Sequence, residues 1–154
     1  MRKRGTILGG VLWLLCVPCM NAADFRLGIG SPVAANAARV KSAALVVRPE
    51  NCAEPDKTTI TGVAEGIVNG ARRSVQLHLT ALPTGVHAIS QEWPFEGIWV
   101  VNLTGSCLGA TAGAIVPIGP RGFIRESSKF LPRAATAAEV EAVLKSMASK
   151  GDTK

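Results

Sequence analysis

Residues 58–81 read TTITGVAEGIVNGARRSVQLHLTA. The last part of this stretch alternates strictly. Val75, Leu77, Leu79 and Ala81 are apolar, and Ser74, Gln76, His78 and Thr80 are polar. Successive side chains of a strand point to opposite faces, so a period of two marks a strand with one buried face. The alternation predicts one half-buried antiparallel strand over 72–81. Residues 58–68 carry β-branched side chains with glycine breaks and read as its partner strand. Asn69-Gly70 lies between them, and both central residues of a type I′ turn need a positive φ. The stretch is therefore a hairpin.

Working outward, the same chemistry repeats. Residues 43–47 form a short apolar run ended by Pro49, and 49–57 (PENCAEPDK) are turn residues. Further strands are expected at 86–90, 98–104 and 110–118. Turns at Pro83-Thr84-Gly85, at 93–97 and at 105–109 separate them. The 98–104 strand is dense in β-branched and aromatic residues, which suits burial on both faces. Short strands with turn signals every 8–12 residues indicate a β-sandwich rather than an α/β fold.

The two ends of the chain differ from this middle. Residues 24–41 (DFRLGIGSPVAANAARVK) are rich in Ala, Gly, Asn and Pro and read as a flexible lead-in. Residues 119–133 read as a loop. Thr136 then stands three residues before Glu139, the spacing of a capping box. Val140, Val143, Leu144 and Met147 follow at helical spacing. A short amphipathic C-terminal helix is expected, docked on the sandwich or on a neighbouring molecule.

Residues 1–23 look like an address. Arg2, Lys3 and Arg4 precede the uncharged apolar run 5–20, and Asn21-Ala22-Ala23 offers small residues for cleavage. This is the pattern of a secretory signal peptide. Its removal takes three bases and no acid, so the formal charge falls from +6 to +3. That balance gives no reason to expect a nucleic-acid partner. After cleavage no transmembrane segment is expected, and the destination is periplasmic or extracellular. Cys16 and Cys19 leave with the signal. Cys52 and Cys107 remain, an even pair suited to one disulfide in an oxidising compartment. If consecutive strands from residue 58 run up and down, the start of the 58–68 strand and the end of the 98–104 strand share one end of the domain. The two cysteines then meet without threading the core.

Gly85-Val86-His87-Ala88-Ile89, followed by Pro94-Phe95-Glu96-Gly97-Ile98-Trp99-Val100-Val101, resembles a pattern in small exported bacterial Ig-like domains of the YtkA-like and FixH-like groups. There a G-x-aromatic-x-apolar strand precedes a G-x-W-x-apolar strand. The resemblance covers about residues 58–118. His87 stands where the pattern has an aromatic, and the cysteine pair is not part of it. It implies an Ig-like antiparallel sandwich, and some relatives are linked to copper or oxidase assembly.

Candidate chemistry is sparse. His78 and His87 are the two histidines, and a copper-handling site is the alternative they offer if they converge. Met147 is the one methionine after residue 23, so Met-rich Cu(I) chemistry is not indicated. No G-x-S-x-G and no phosphate-cradling loop occurs. Glu92 and Glu96 flank Trp93-Pro94-Phe95 and read as turn residues, with a paired-carboxylate enzyme as a second alternative. Trp99 is expected to fill the core, with Trp93 and Phe95 covering one end. Arg72-Arg73 reads as a solvated hairpin end. Asn102-Leu103-Thr104 matches a glycosylation acceptor inside an expected strand. The reading is an all-β, Ig-like sandwich over 42–119, with a loop and helix over 120–154. Its expected role is non-catalytic and cofactor-free: a cell-envelope module that binds a protein partner through a sheet edge or the 69–70 hairpin.

Overall fold

A computed structural model describes residues 24–33, 40 and 42–151. The expected signal peptide lies outside the described residues. Among the described residues ten strands follow one another: β1 (Arg26–Gly30), β2 (Ala43–Glu50), β3 (Thr59–Val68), β4 (Ala71–Gln76), β5 (Leu79–Ala81), β6 (His87–Ser90), β7 (Ile98–Cys107), β8 (Ala110–Gly119), β9 (Gly122–Phe123) and β10 (Lys129–Leu131). The helix α1 (Ala137–Gly151) closes the order.

The strands form two antiparallel sheets. One runs β1-β2-β6-β5 and the other β10-β8-β7-β3-β4, with β9 pairing β8. Written with immunoglobulin letters, the first eight strands give A-B-E-D and C′-C-F-G. The fold is thus an Ig-like sandwich by strand order as well as by layers. Leu45, Val47 and Ile89 face Trp99, Val101, Leu103, Ala114 and Val116 across the core, and all are buried.

A third layer covers the outer face of the second sheet. Val100 and Ile115 point away from the sandwich core and pack on Val140, Val143 and Leu144 of α1. The expected burial of β7 on both faces arises from this: its odd-numbered side chains enter the core and Val100 meets the helix. The helix begins as the capping box requires. The Glu139 N–H donates to Thr136 Oγ1 at 3.3 Å, and the Thr136 N–H donates to Glu139 Oε2 at 2.8 Å. Arg133 adds two 2.8 Å bonds to the same carboxylate.

Five expectations need correction. Residues 26–30, expected within a flexible lead-in, form β1; Phe25, Leu27 and Ile29 alternate into the core, and β1 pairs with β2 from Arg26↔Glu50 to Gly30↔Val46. The first strand does not end at Pro49 but reaches Glu50. β6 pairs only as far as Val47, so Pro49 lies where β2 has a free side and a missing N–H is tolerated. The single strand expected over 72–81 is two strands in two sheets. The chain crosses between them at Leu77 and His78 while Val75, Leu77 and Leu79 keep facing inward. The 105–109 loop shrinks to a two-residue turn, Leu108 (φ 48°) and Gly109 (φ 86°), because β7 runs on to Cys107. Within the expected 119–133 loop, β9 and β10 extend the second sheet past β8. The first strand of the sandwich therefore begins at Arg26 and its last ends at Leu131, outside the expected bounds of 42–119.

Cys52 and Cys107 are bonded, with their Cα atoms 6.1 Å apart. β3 pairs with β7 in the register Thr59↔Ser106, so the start of one strand lies beside the end of the other. The bridge ties the end of β2 in one sheet to the end of β7 in the other.

Candidate functional site

The longest edge strand is β4, and local sequence dictates which of its atoms are free. Asn69 (φ 50°) and Gly70 (φ 75°) form the two-residue turn joining β3 to β4. Such a turn makes its flanking residues a hydrogen-bonded pair, and pairs then alternate along the ladder. The register runs from Val68↔Ala71 to Val63↔Gln76, and the Leu77 N–H donates to Gly62 O at 3.0 Å. Ala71, Arg73, Val75 and Leu77 accordingly turn their N–H groups to β3. Arg72, Ser74 and Gln76 turn theirs outward, where no strand pairs with them among the described residues.

The side chains of this edge are polar and mostly exposed. Arg72 reaches Glu65 at 3.1 Å and Glu141 on α1 at 3.2 Å, which fastens the hairpin to the helix. Arg73 is exposed and makes no ion pair among the described residues. The solvated hairpin end expected of the two arginines holds for Arg73; Arg72 is a structural anchor.

The other edges are shorter or covered. Arg125 of a short 3₁₀ turn donates to Ile29 O at the β1 edge. Asn51 Nδ2 donates to Asp24 O at 3.1 Å just before β1. β5 and β10 have three residues each.

The remaining candidates are dispersed. His78 Nδ1 lies 3.0 Å from Glu92 Oε2, and this exposed pair links the β4–β5 crossover to the turn after β6. His87 donates from Nδ1 to Gly85 O at 3.0 Å. The register Leu79↔Ile89 and Ala81↔His87 puts His87 on the core-facing side of its sheet. His78 precedes Leu79 by one residue and so faces the other side. The structure does not bring the two histidines together. Glu92 is engaged with His78, and Glu96 enters the fold through its carbonyl, which accepts the Trp99 Nε1–H at 2.8 Å. Trp93 and Trp99 are both buried in the core, as expected for Trp99. Phe95 does not cover one end of the core as its sequence suggests: it is 93% exposed, because the turn it occupies points its side chain into solvent. Asn102 sits mid-strand in β7 between Val63 and Ile115, with its Oδ1 buried and unpaired among the described residues. A cleft of about 140 Å³ opens between α1 and β8, where Ile124, Val143 and Met147 meet Lys129 and Lys150.

Fold and edge together define a class: an Ig-like sandwich whose C′CFG sheet carries its own helix on the outer face and, among the described residues, leaves its C′ edge open. Compared with known proteins, the chain matches no family model, no curated protein and no solved structure.

Proposed function

We propose that the chain is an exported, disulfide-stapled Ig-like module that binds protein in the cell envelope and performs no catalysis itself, with the outer edge of β4 as its recognising strand. The observation that carries this reading is the six-residue open edge of β4. A strand edge with outward N–H and C=O groups binds an extended segment by main-chain hydrogen bonding, and alternate side chains give specificity. The Cys52–Cys107 bond and the tripartite pattern of residues 1–23 support export. No helix among the described residues is long and apolar enough to cross a membrane. The metal-handling alternative needs His78 and His87 in one site and draws no support from their opposite faces.

Photo-cross-linking in an exporting host tests this reading. A cross-linking side chain at Arg73 is expected to give a discrete adduct, and one at exposed Lys145 is not. Ser74→Pro removes an outward N–H while sparing the ladder to β3, and is expected to abolish the Arg73 adduct. An unchanged adduct in the Ser74→Pro chain, or none from Arg73, overturns the assignment.

A further inference from the structure

We infer that the strand added to β4 is the β4 of a second copy, giving a two-fold dimer with one continuous antiparallel sheet. This rests on the reading of β4 as the recognising edge and names the partner.

The argument is one of parity and charge. A two-fold pairing of β4 with itself must set outward residues opposite outward residues, so Arg72, Ser74 and Gln76 have to face members of the same set. Centring on Arg73 sets that arginine directly against its own copy, which is destabilising. Centring on Arg72 sets Ser74 opposite Gly70 and so runs the pairing into the Asn69-Gly70 turn, outside β4. Centring on Val75 or Gln76 drives the pairing past the end of β4, where the chain leaves for the other sheet at Leu77 and His78. Centring on Ser74 avoids both faults. Ser74 faces Ser74, Arg72 faces Gln76 and Arg73 faces Val75, all within β4. This register closes about six backbone hydrogen bonds between the copies.

The side chains agree with it. Arg72 is already neutralised by Glu65 and Glu141, so it brings little net repulsion to the seam. The aliphatic stem of Arg73 lies along the half-buried Val75 of the other copy. The helices stay clear of the seam, because α1 sits mainly over β7, β8 and β3 and meets β4 at the Arg72–Glu141 ion pair. The one unfavourable term is Arg73 diagonal to its copy, about 7–8 Å away. Salt screens that repulsion, so association is expected to tighten as ionic strength rises.

A strand pairing this short buries less than a standard interface, so a dissociation constant on the order of 0.1 mM is expected. The test is sedimentation equilibrium of the exported chain from about 10 µM to 2 mM, with amide exchange followed by NMR at both ends of that range. The expected result is a mass rising from one chain toward two. The amides of Arg72, Ser74 and Gln76 should slow several-fold while those of Arg73 and Val75 stay unchanged. Ser74→Pro should hold the mass at one chain, and Arg73→Ser should tighten association. A one-chain mass up to 2 mM overturns the dimer, as does a dimer whose newly protected amides lie outside β4. A monomer whose Arg73 cross-link in the cell still depends on Ser74 would sink the self-pairing alone and leave the recognising edge standing.

Discussion

Glu139 shows how much one side chain is asked to do. Its carboxylate takes two hydrogen bonds from Arg133 and two from Thr136, through the N–H and the hydroxyl, and these hold its pKa down at about 2. The ordinary value is 4.5, so the unfolded chain binds this proton first as pH falls. The stabilisation is fully present above about pH 4.5 and is lost as pH drops toward 2. Urea unfolding should therefore weaken across that window, and Glu139→Gln should show a shallower acid loss than the parent chain. Gly66 is fixed by contact rather than charge. A Cβ there would sit 2.5 Å from the Trp99 ring and 2.7 Å from Ile98 O. Gly66→Ala should destabilise by about 1–3 kcal/mol, visible as a lower urea midpoint with an unchanged slope. The spacing of Thr136 and Glu139 was legible in the sequence. The contribution of Arg133, three residues before the cap, was not, because it depends on how the chain turns into the helix.

At the scale of elements, the clearest dependence is α1 on the sheet beneath it. Leu144 is fully buried against Val100 and Ile115. Leu144→Ala should cost about 2–5 kcal/mol, and a fall in melting temperature measured by circular dichroism checks it. A smaller cost would mean that the helix settles into the gap. The helical period and the hairpins were legible because both are local: Asn69-Gly70 sets its own turn and the 3.6 period sets its own face. β1 is not legible in the sequence although Phe25, Leu27 and Ile29 alternate, because Gly28 and Gly30 weaken the local preference that would mark a strand. Pairing with β2 supplies what the local sequence lacks. The split of 72–81 into β4 and β5 was hidden for the opposite reason. The in–out alternation continues unbroken through Leu77, so no signal marks where the chain exchanges one sheet for the other.

At the scale of the whole molecule, the Cys52–Cys107 bond joins the two sheets across a loop of 55 residues. Replacing both cysteines with alanine should lower stability by roughly 3–4 kcal/mol, to be measured by equilibrium urea unfolding under otherwise equal conditions. A loss under about 1 kcal/mol would mean that the sheets hold their ends together without it. The candidate edge belongs to this scale too. Arg72 and Arg73 are alike in sequence, yet Glu141 from the far end of the chain makes Arg72 an anchor, while Arg73 makes no ion pair among the described residues.

By itself the sequence determined the all-β class, the two-residue hairpin at 69–70, the cysteine pairing and the capped C-terminal helix. Each rests on periodicity, turn chemistry or simple counting, which neighbours along the chain decide. The tertiary structure alone decided that β1 joins the sandwich, that β4 and β5 part company, that α1 covers the outer face of the C′CFG sheet and that no described strand pairs with the outer edge of β4. These outcomes depend on pairings between residues far apart in sequence, and the energy of such pairings appears in no local window.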